Sequence, residues 1–487
     1  MSPLFVFSLI LVYFTFLILI SRQTSRKANN ASFFIGNRKS PWFLVAFGMI
    51  GTSLSGITFI SVPGWVNSSQ FSYMQMVLGY FMGYLVVANV LMPLYYRLNL
   101  TSIYTYLEQR FGFWSYKTGA FYFLLSRTIG ASFRLFLVAK VLQLAIFEQI
   151  GLPYFITVAV TIILIWVYTY KGGIKTIVWT DSLQTLFMLS AVGITIYRIG
   201  NQLDLDFSGI YQVVKGSELS KTFFFEDWRD SRFFWKQFLS GAFITIVMTG
   251  LDQDMMQKNL SCKNIKEARW NMLSLSVILI VVNLLFLSLG VLLMIYSEQM
   301  GISLPEKSDD IYPFLALGGS LGLWVGAFFI LGLIAAAYSS ADSALTALTT
   351  SFCYDFLSIN KKPDQEAIGL RKKVHLGMSL MIYVVILLFS FINDDSVISS
   401  LFKAAGYTYG PLLGMYGFGL VHKFKVKDKY VPYLCIISPL FTYLITTFSK
   451  ELFNGYEFGF EMIILNGLLT YIGLHLLRKI KRKQIKL

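Results

Sequence analysis

The sequence predicts an all-α integral membrane protein of about thirteen transmembrane helices in a single domain. Three observations predict it. Of 487 residues, 55% are hydrophobic, 17% aromatic and only 14% charged, which exceeds what a soluble domain of this length needs for its core. Apolar runs of about 17 to 28 residues, long enough to span hydrocarbon as helices, recur along the whole chain. The basic residues behind the net charge of +15 are dispersed between those runs, which argues against a nucleic-acid surface and fits the inner loops of a membrane protein.

In chain order the runs fall near 3–21, 42–66, 72–96, 119–148, 153–170, 176–198, 237–257, 271–296, 322–350, 374–393, 395–421, 431–449 and 461–477. The first has no basic residue before it and no clear small-residue cleavage site, so it is expected to remain as a reverse anchor. With the amino terminus outside, the inner segments are 22–39, 97–117, 171–175, 257–269, 351–373, 422–429 and 478–487, and they hold about 29 of the 41 Lys and Arg. Roughly eight lie outside, and Arg127, Arg134, Lys140 and Lys403 fall within runs. That bias predicts a multi-pass plasma-membrane protein with an outer amino terminus and a cytoplasmic carboxyl terminus. The tail RKIKRKQIK then meets an anionic leaflet as a solvated end or a lipid contact.

The longest outer loop, 199–236, contains FFFEDWRDSRFFWKQ, expected as an interfacial helix with Phe and Trp at headgroup level. Cys262, Cys353 and Cys435 lack metal spacing and suit reduced or buried thiols. His375, His422 and His475 form no catalytic constellation, so no enzyme activity is expected.

Two runs are weakened in their middle. FGMIGTSLSGITFISVPGW at 47–65 concentrates Gly51, Thr52, Ser53, Ser55 and Gly56 before Pro63 and Gly64. Such a stretch is either a close helix-packing face or a helix break whose freed carbonyls line an ion site. FITIVMTGLDQDMMQKNL at 243–260 repeats the weakness about five helices later, with Asp252 and Asp254 near its inner end as interfacial or gate residues. Matching interruptions in two five-helix halves point to an inverted repeat with a midplane site. The chain then divides into an extra first helix and inner loop (1–41), a first core repeat (42–198), an outer loop (199–236), a second core repeat (237–421), and two peripheral helices with a basic tail (422–487).

In IAAAYSSADSALTALTTSFCY at 334–354, Ala336, Ser339, Ser340 and Ser343 share one side of a helix. Hydroxyls and carbonyls suit a hard monovalent cation, and serines bonded back to their own helix are the competing account. Asp181, at the mouth of the sixth run in YTYKGGIKTIVWTDSLQTLFM, is expensive at membrane depth unless a cation or strong donors meet it. Asp342 raises the same question.

With these residues in view the chain resembles the sodium:solute symporter family, whose members share the five-plus-five LeuT-like fold. The resemblance rests on the thirteen-helix plan, Gly172-Gly173 with Trp179-Thr180-Asp181, the Gly51-to-Gly56 stretch ending in Pro63-Gly64, the Ser339-Ser340 pair, and GYTYGPLLG at 406–414. It implies a principal sodium site at Gly51, Leu54, Ala336, Ser339 and Ser340. It further implies a second sodium position among Asp181, Ser339, Asp342 and Ser343, where Asp342 replaces a neutral hydroxyl and sets two carboxylates near each other. One or two sodium ions are therefore expected.

Arg127 and Arg134 share a face of the fourth run, and a guanidinium at the depth of Arg134 seeks a membrane carboxylate or a substrate carboxylate. Arg134 resembles the carboxylate-binding arginine of sialic acid carriers, and Ser53, Ser55, Thr58, Gln75, Tyr80 and Thr245 are expected to complete a polar pocket. The implied function is sodium-coupled symport of a small polar solute by alternating access in the lipid bilayer, with sugar acid, neutral sugar and amino acid ranked in that order. A passive channel and a signalling transceptor are the alternatives from other classes.

Overall fold

The computed structural model describes residues 3–24, 30–391 and 397–479, and they are almost entirely helical. Helix occupies every predicted run: α1 (Pro3–Thr24), α2 (Trp42–Ser69), α3 (Tyr73–Val86, running on to Arg97), α4 (Phe113–Leu142), α5 (Tyr154–Gly172), α6 (Ile174–Gln202) and α7 (Phe234–Thr245). There follow α8 (Ile265–Gln299), α9 (Leu323–Ser351), α10 (Asp364–Phe389), α11 (Val397–Val421), α12 (Val431–Thr447) and α13 (Met462–Leu476). By length and composition, eight of the described helices are apolar enough to cross a membrane, or nine when bent α7 counts as one span. The join at 392–396, Arg26 with Lys27, and the basic tail from residue 480 lie outside the described residues.

Both weakened runs bend. In α2 the chain leaves helical geometry at Ser55 (φ 52°, ψ 171°), between Leu54 and Gly56. A break at this point frees the carbonyls of the last turn before it, which need partners in a membrane. After α7 a wide turn at Ile246–Gly250 leads into a short helix, Gln253–Leu260, inclined by 63°. Asp252 caps that helix, its Oδ1 accepting from the Asp254 amide at 2.9 Å. All eight residues of the short helix are buried.

Glycines set how closely the helices approach. A Cβ on Gly79 of α3 would lie 2.0 Å from the Phe238 carbonyl oxygen, and one on Gly241 of α7 would lie 2.0 Å from that of Met76. Backbone cannot yield as a flexible side chain can, so Gly79→Val must separate α3 from α7. Its expected effect is a loss of about 1–3 kcal/mol, the usual penalty for overpacking, read as a lower midpoint of thermal unfolding in detergent. The GYTYGPLLG block works the same way. Gly406, Gly410 and Gly414 form a small-residue stripe on α11 that admits α13, where Asn466 Nδ2 donates to the carbonyls of Gly406 (3.0 Å) and Tyr407 (2.9 Å).

Two outer features differ from expectation. The helix of this loop lies at Phe207–Gly216, whereas most of the aromatic run at 223–233 is irregular. Asp227 and Asp230 cause this, because each carboxylate accepts the backbone N–H two residues on (2.9 and 2.8 Å), a local turn that competes with helix. Beside it, the Arg232 guanidinium holds the Asp230 carboxyl below its usual range. A further helix, Ser308–Leu317, packs against α2, its sequence too short and too interrupted by Pro313 to read as a span.

Candidate functional site

The break in α2 lies against the middle of α9. Gly51 donates its N–H to Thr185 Oγ1 of α6 at 3.0 Å, and a Cβ there would sit 2.6 Å from that oxygen and 3.5 Å from Ser339 Oγ. Ser340 Oγ donates to the Thr52 carbonyl at 3.3 Å. Leu54 and Ala336 are buried beside them. Thus α2 brings the end of its inner half, with freed carbonyls, to the two serine hydroxyls of α9. No group of three His, Cys, Asp or Glu is placed to hold a metal among the described residues. The oxygens gathered here are neutral carbonyls and hydroxyls, a donor set that suits a weakly held monovalent cation.

Asp181 of α6 is fully surrounded. Gly48 allows α6 to approach, since a Cβ there would lie 2.9 Å from Asp181 Cβ. Asp181 Oδ2 accepts from Lys258 Nζ at 2.5 Å and from Thr52 Oγ1 at 3.1 Å, while Oδ1 accepts from Ser339 Oγ at 2.8 Å. With its amide turned to donate, Gln184 also reaches Oδ1 at 3.2 Å. Lys258 Nζ bonds Thr52 Oγ1 as well, and only 1% of its side chain is exposed. Of the residues implied for a second cation, Ser339 meets Asp181 directly. Asp342 is buried within electrostatic range of Lys258 and Tyr13. The Ser343 hydroxyl is buried with no hydrogen-bond partner among the described residues.

Lys258 is not legible as a site residue. It falls where the seventh run gives way to an inner segment and reads as one more loop charge. The short helix beyond the 63° bend carries it back into the protein instead.

Beside these groups lies a cavity, partly open to solvent, whose space not filled by protein is about 720 Å³ with that open solvent included, lined from α2, α3, α4, α7, α8 and α11. Ser53, Ser55, Thr58, Tyr80, Arg134 and Thr245 all line it, joined by Thr249 of the second weakened run and by Tyr73 and Asn283, which nothing in the sequence singles out. Gln75 does not. Because α3 begins at Tyr73, Gln75 falls in its first turn, where Nε2 donates to the Arg232 carbonyl (2.8 Å) and Oε1 accepts from the Phe224 amide (3.2 Å). It ties down the outer loop.

The cavity lining carries two arginines and no carboxylate. Arg127 is neutralised from below, bonded to Asp254 and 3.9 Å from Asp252 Oδ2, to which Tyr409 also donates. Those aspartates therefore belong to a buried network beneath the cavity. Arg134 differs. Only 5% exposed, it has Nε and Nη1 buried without a hydrogen-bond partner among the described residues. Guanidinium donors at a cavity wall are costly to leave unmet, and an anion in the cavity would meet them with charge as well as hydrogen bonds.

The chain is 25% identical over 468 residues to the sodium/sialic acid symporter NanT of Aliivibrio fischeri, covering 91% of this chain and 88% of that one. Among solved structures, a sodium-coupled sialic acid symporter in a substrate-bound outward-open state superposes with a TM-score of 0.81 at 19% identity, covering 97% of each chain. The closed form of Mhp1, a nucleobase-cation-symport-1 family transporter, gives 0.57 at 14% identity, covering 91% of this chain and 93% of that one. These likenesses mark a LeuT-like transporter fold. The model of the sodium:solute symporter family matches residues 33–418, and the chain, a multi-pass sodium-coupled symporter, belongs to that family.

Proposed function

We propose that the transported solute is a sugar acid such as sialic acid, bound in the cavity with its carboxylate on Arg134. The observation that carries this reading is the pair of buried, unpartnered Arg134 donors at the wall of a cavity otherwise rich in hydroxyls. A guanidinium fork matches a carboxylate in bidentate fashion, and Ser53, Ser55, Thr58, Tyr80 and Thr245 suit the hydroxyls of a sugar. An amino acid would need an acceptor for its ammonium group, and the lining offers no carboxylate. A neutral sugar would leave the Arg134 charge uncompensated. The relatives named for sialic acid support the same choice.

Sodium binds, on this reading, to the carbonyls of Gly51, Leu54 and Ala336 and the hydroxyls of Ser339 and Ser340. The contact of Ser340 with the Thr52 carbonyl supports it. Asp181, Ser339, Asp342 and Ser343 surround a second cation position. The repeats 42–198 and 237–421, each opening on a broken helix, rock against each other to alternate access. The distribution of basic residues supports an outer amino terminus and a cytoplasmic carboxyl terminus, and transport without catalysis is the whole activity. Each inward sodium gains about 2.3 kcal/mol per 100 mV of inside-negative potential.

The test is uptake of labelled sialic acid by proteoliposomes. An inward sodium gradient should drive saturable accumulation with counterflow, and replacing sodium by choline should abolish it. Equal entry in choline would sink the coupled reading, and entry without saturation or counterflow would indicate a channel.

A further inference from the structure

The second cation position already contains a cation. Lys258 reaches Asp181 Oδ2 at 2.5 Å and bonds Thr52 Oγ1, and the remaining acceptor sites of Asp181 are taken by Thr52, Ser339 and, with its amide turned to donate, Gln184. A sodium ion at Asp181 needs oxygen lone pairs that these donors engage. The two cations are equal in charge, but one is tethered, so it holds the carboxylate without the loss of translational freedom that a dissolved sodium ion would bear. The helix that carries it, Gln253–Leu260, is buried along its whole length, so a displaced ammonium has no nearby solvent to enter.

From this we infer that the Lys258 ammonium is the resident cation at Asp181, filling the position where a second sodium ion would otherwise bind, so that the protein couples to one sodium ion. The inference rests on the reading of Ser339 and Asp181 as facing the ion path. Asp342, buried within electrostatic range of Lys258, helps hold the ammonium there. Without Lys258, Asp181 would lose its cation while keeping a second carboxylate nearby, and a sodium ion becomes the natural replacement.

The test counts radiolabelled sodium bound at saturation by the purified full-length protein, with no solute present. The expected result is one ion per wild-type protein, two for Lys258→Met, and one for Lys258→Arg, which keeps the charge. Two ions on the wild type would overturn the proposal, as would a single ion on Lys258→Met. If Lys258→Met does not assemble, Lys258→Gln carries the same expectation of two. A wild-type protein that binds no sodium would instead overturn the assignment of the sodium site. Because solute is absent, an error in its identity leaves the count unaffected.

Discussion

Arg134→Met should abolish sodium-driven uptake of sialic acid while leaving the fold and sodium binding intact. Methionine fills a similar volume without donors, so the cavity wall stays packed and only the anion's partner is lost. Truncating one side of a buried charged pair costs about 2–5 kcal/mol, which is roughly 30-fold to several thousand-fold in apparent affinity. Arg134→Lys should recover part of that loss, since an ammonium supplies the charge but not the bidentate fork. The measurement is solute-dependent thermal stabilisation in saturating sodium, run with sialic acid and with a neutral sugar. Arg127→Met is the informative contrast. Arg127 already holds Asp254, so its loss leaves a buried carboxylate unpaired and should lower the unfolding midpoint itself. A sugar acid that still stabilises Arg134→Met at wild-type concentrations would dismiss the carboxylate clamp.

Much of this site is legible in the amino-acid sequence for specific physical reasons. Hydropathy locates spans because lipid forces every backbone polar group into internal bonds, so each apolar run has to become helix. The break at Ser55 is legible because packing alone does not account for that many glycines and hydroxyls, and Arg134 because a charge at that depth has few destinations. Lys258 is illegible for the opposite reason. Loop and core look alike in sequence at the inner end of a span, and only the 63° bend decides that this lysine turns inward. Gln75 misleads by its position along the helix, since polarity says that a residue wants a partner and cannot say whether that partner is solute or the Arg232 backbone. The aromatic outer run misleads because two Asx turns outcompete helix over a few residues.

The structure also separates the roles of two neighbouring serines that helical spacing can only group. Ser339 bonds Asp181 at 2.8 Å and lies beside Gly51, so it stands between the two proposed cation positions, whereas Ser340 is bonded to the Thr52 carbonyl. Ser340→Ala should therefore weaken the principal sodium site alone. A hydrogen bond or ligand bond to a charged group contributes about 1.5–3 kcal/mol, so the sodium concentration for half-maximal uptake should rise roughly 10- to 150-fold. Because ion and solute binding are linked, the apparent affinity for solute at low sodium must fall too, and saturating sodium must restore it. Ser339→Ala should do the same and in addition strip a donor from Asp181, loosening the grip on Lys258. Comparing uptake over a sodium titration distinguishes the two. A rise in half-saturation that saturating sodium repairs identifies a ligand, whereas a fall in maximal rate that no sodium concentration repairs identifies a serine that only packs α9 against α2. If Ser340→Ala leaves the sodium curve where it was, the ion is not held at the α2 break, and its site must be sought nearer Asp181.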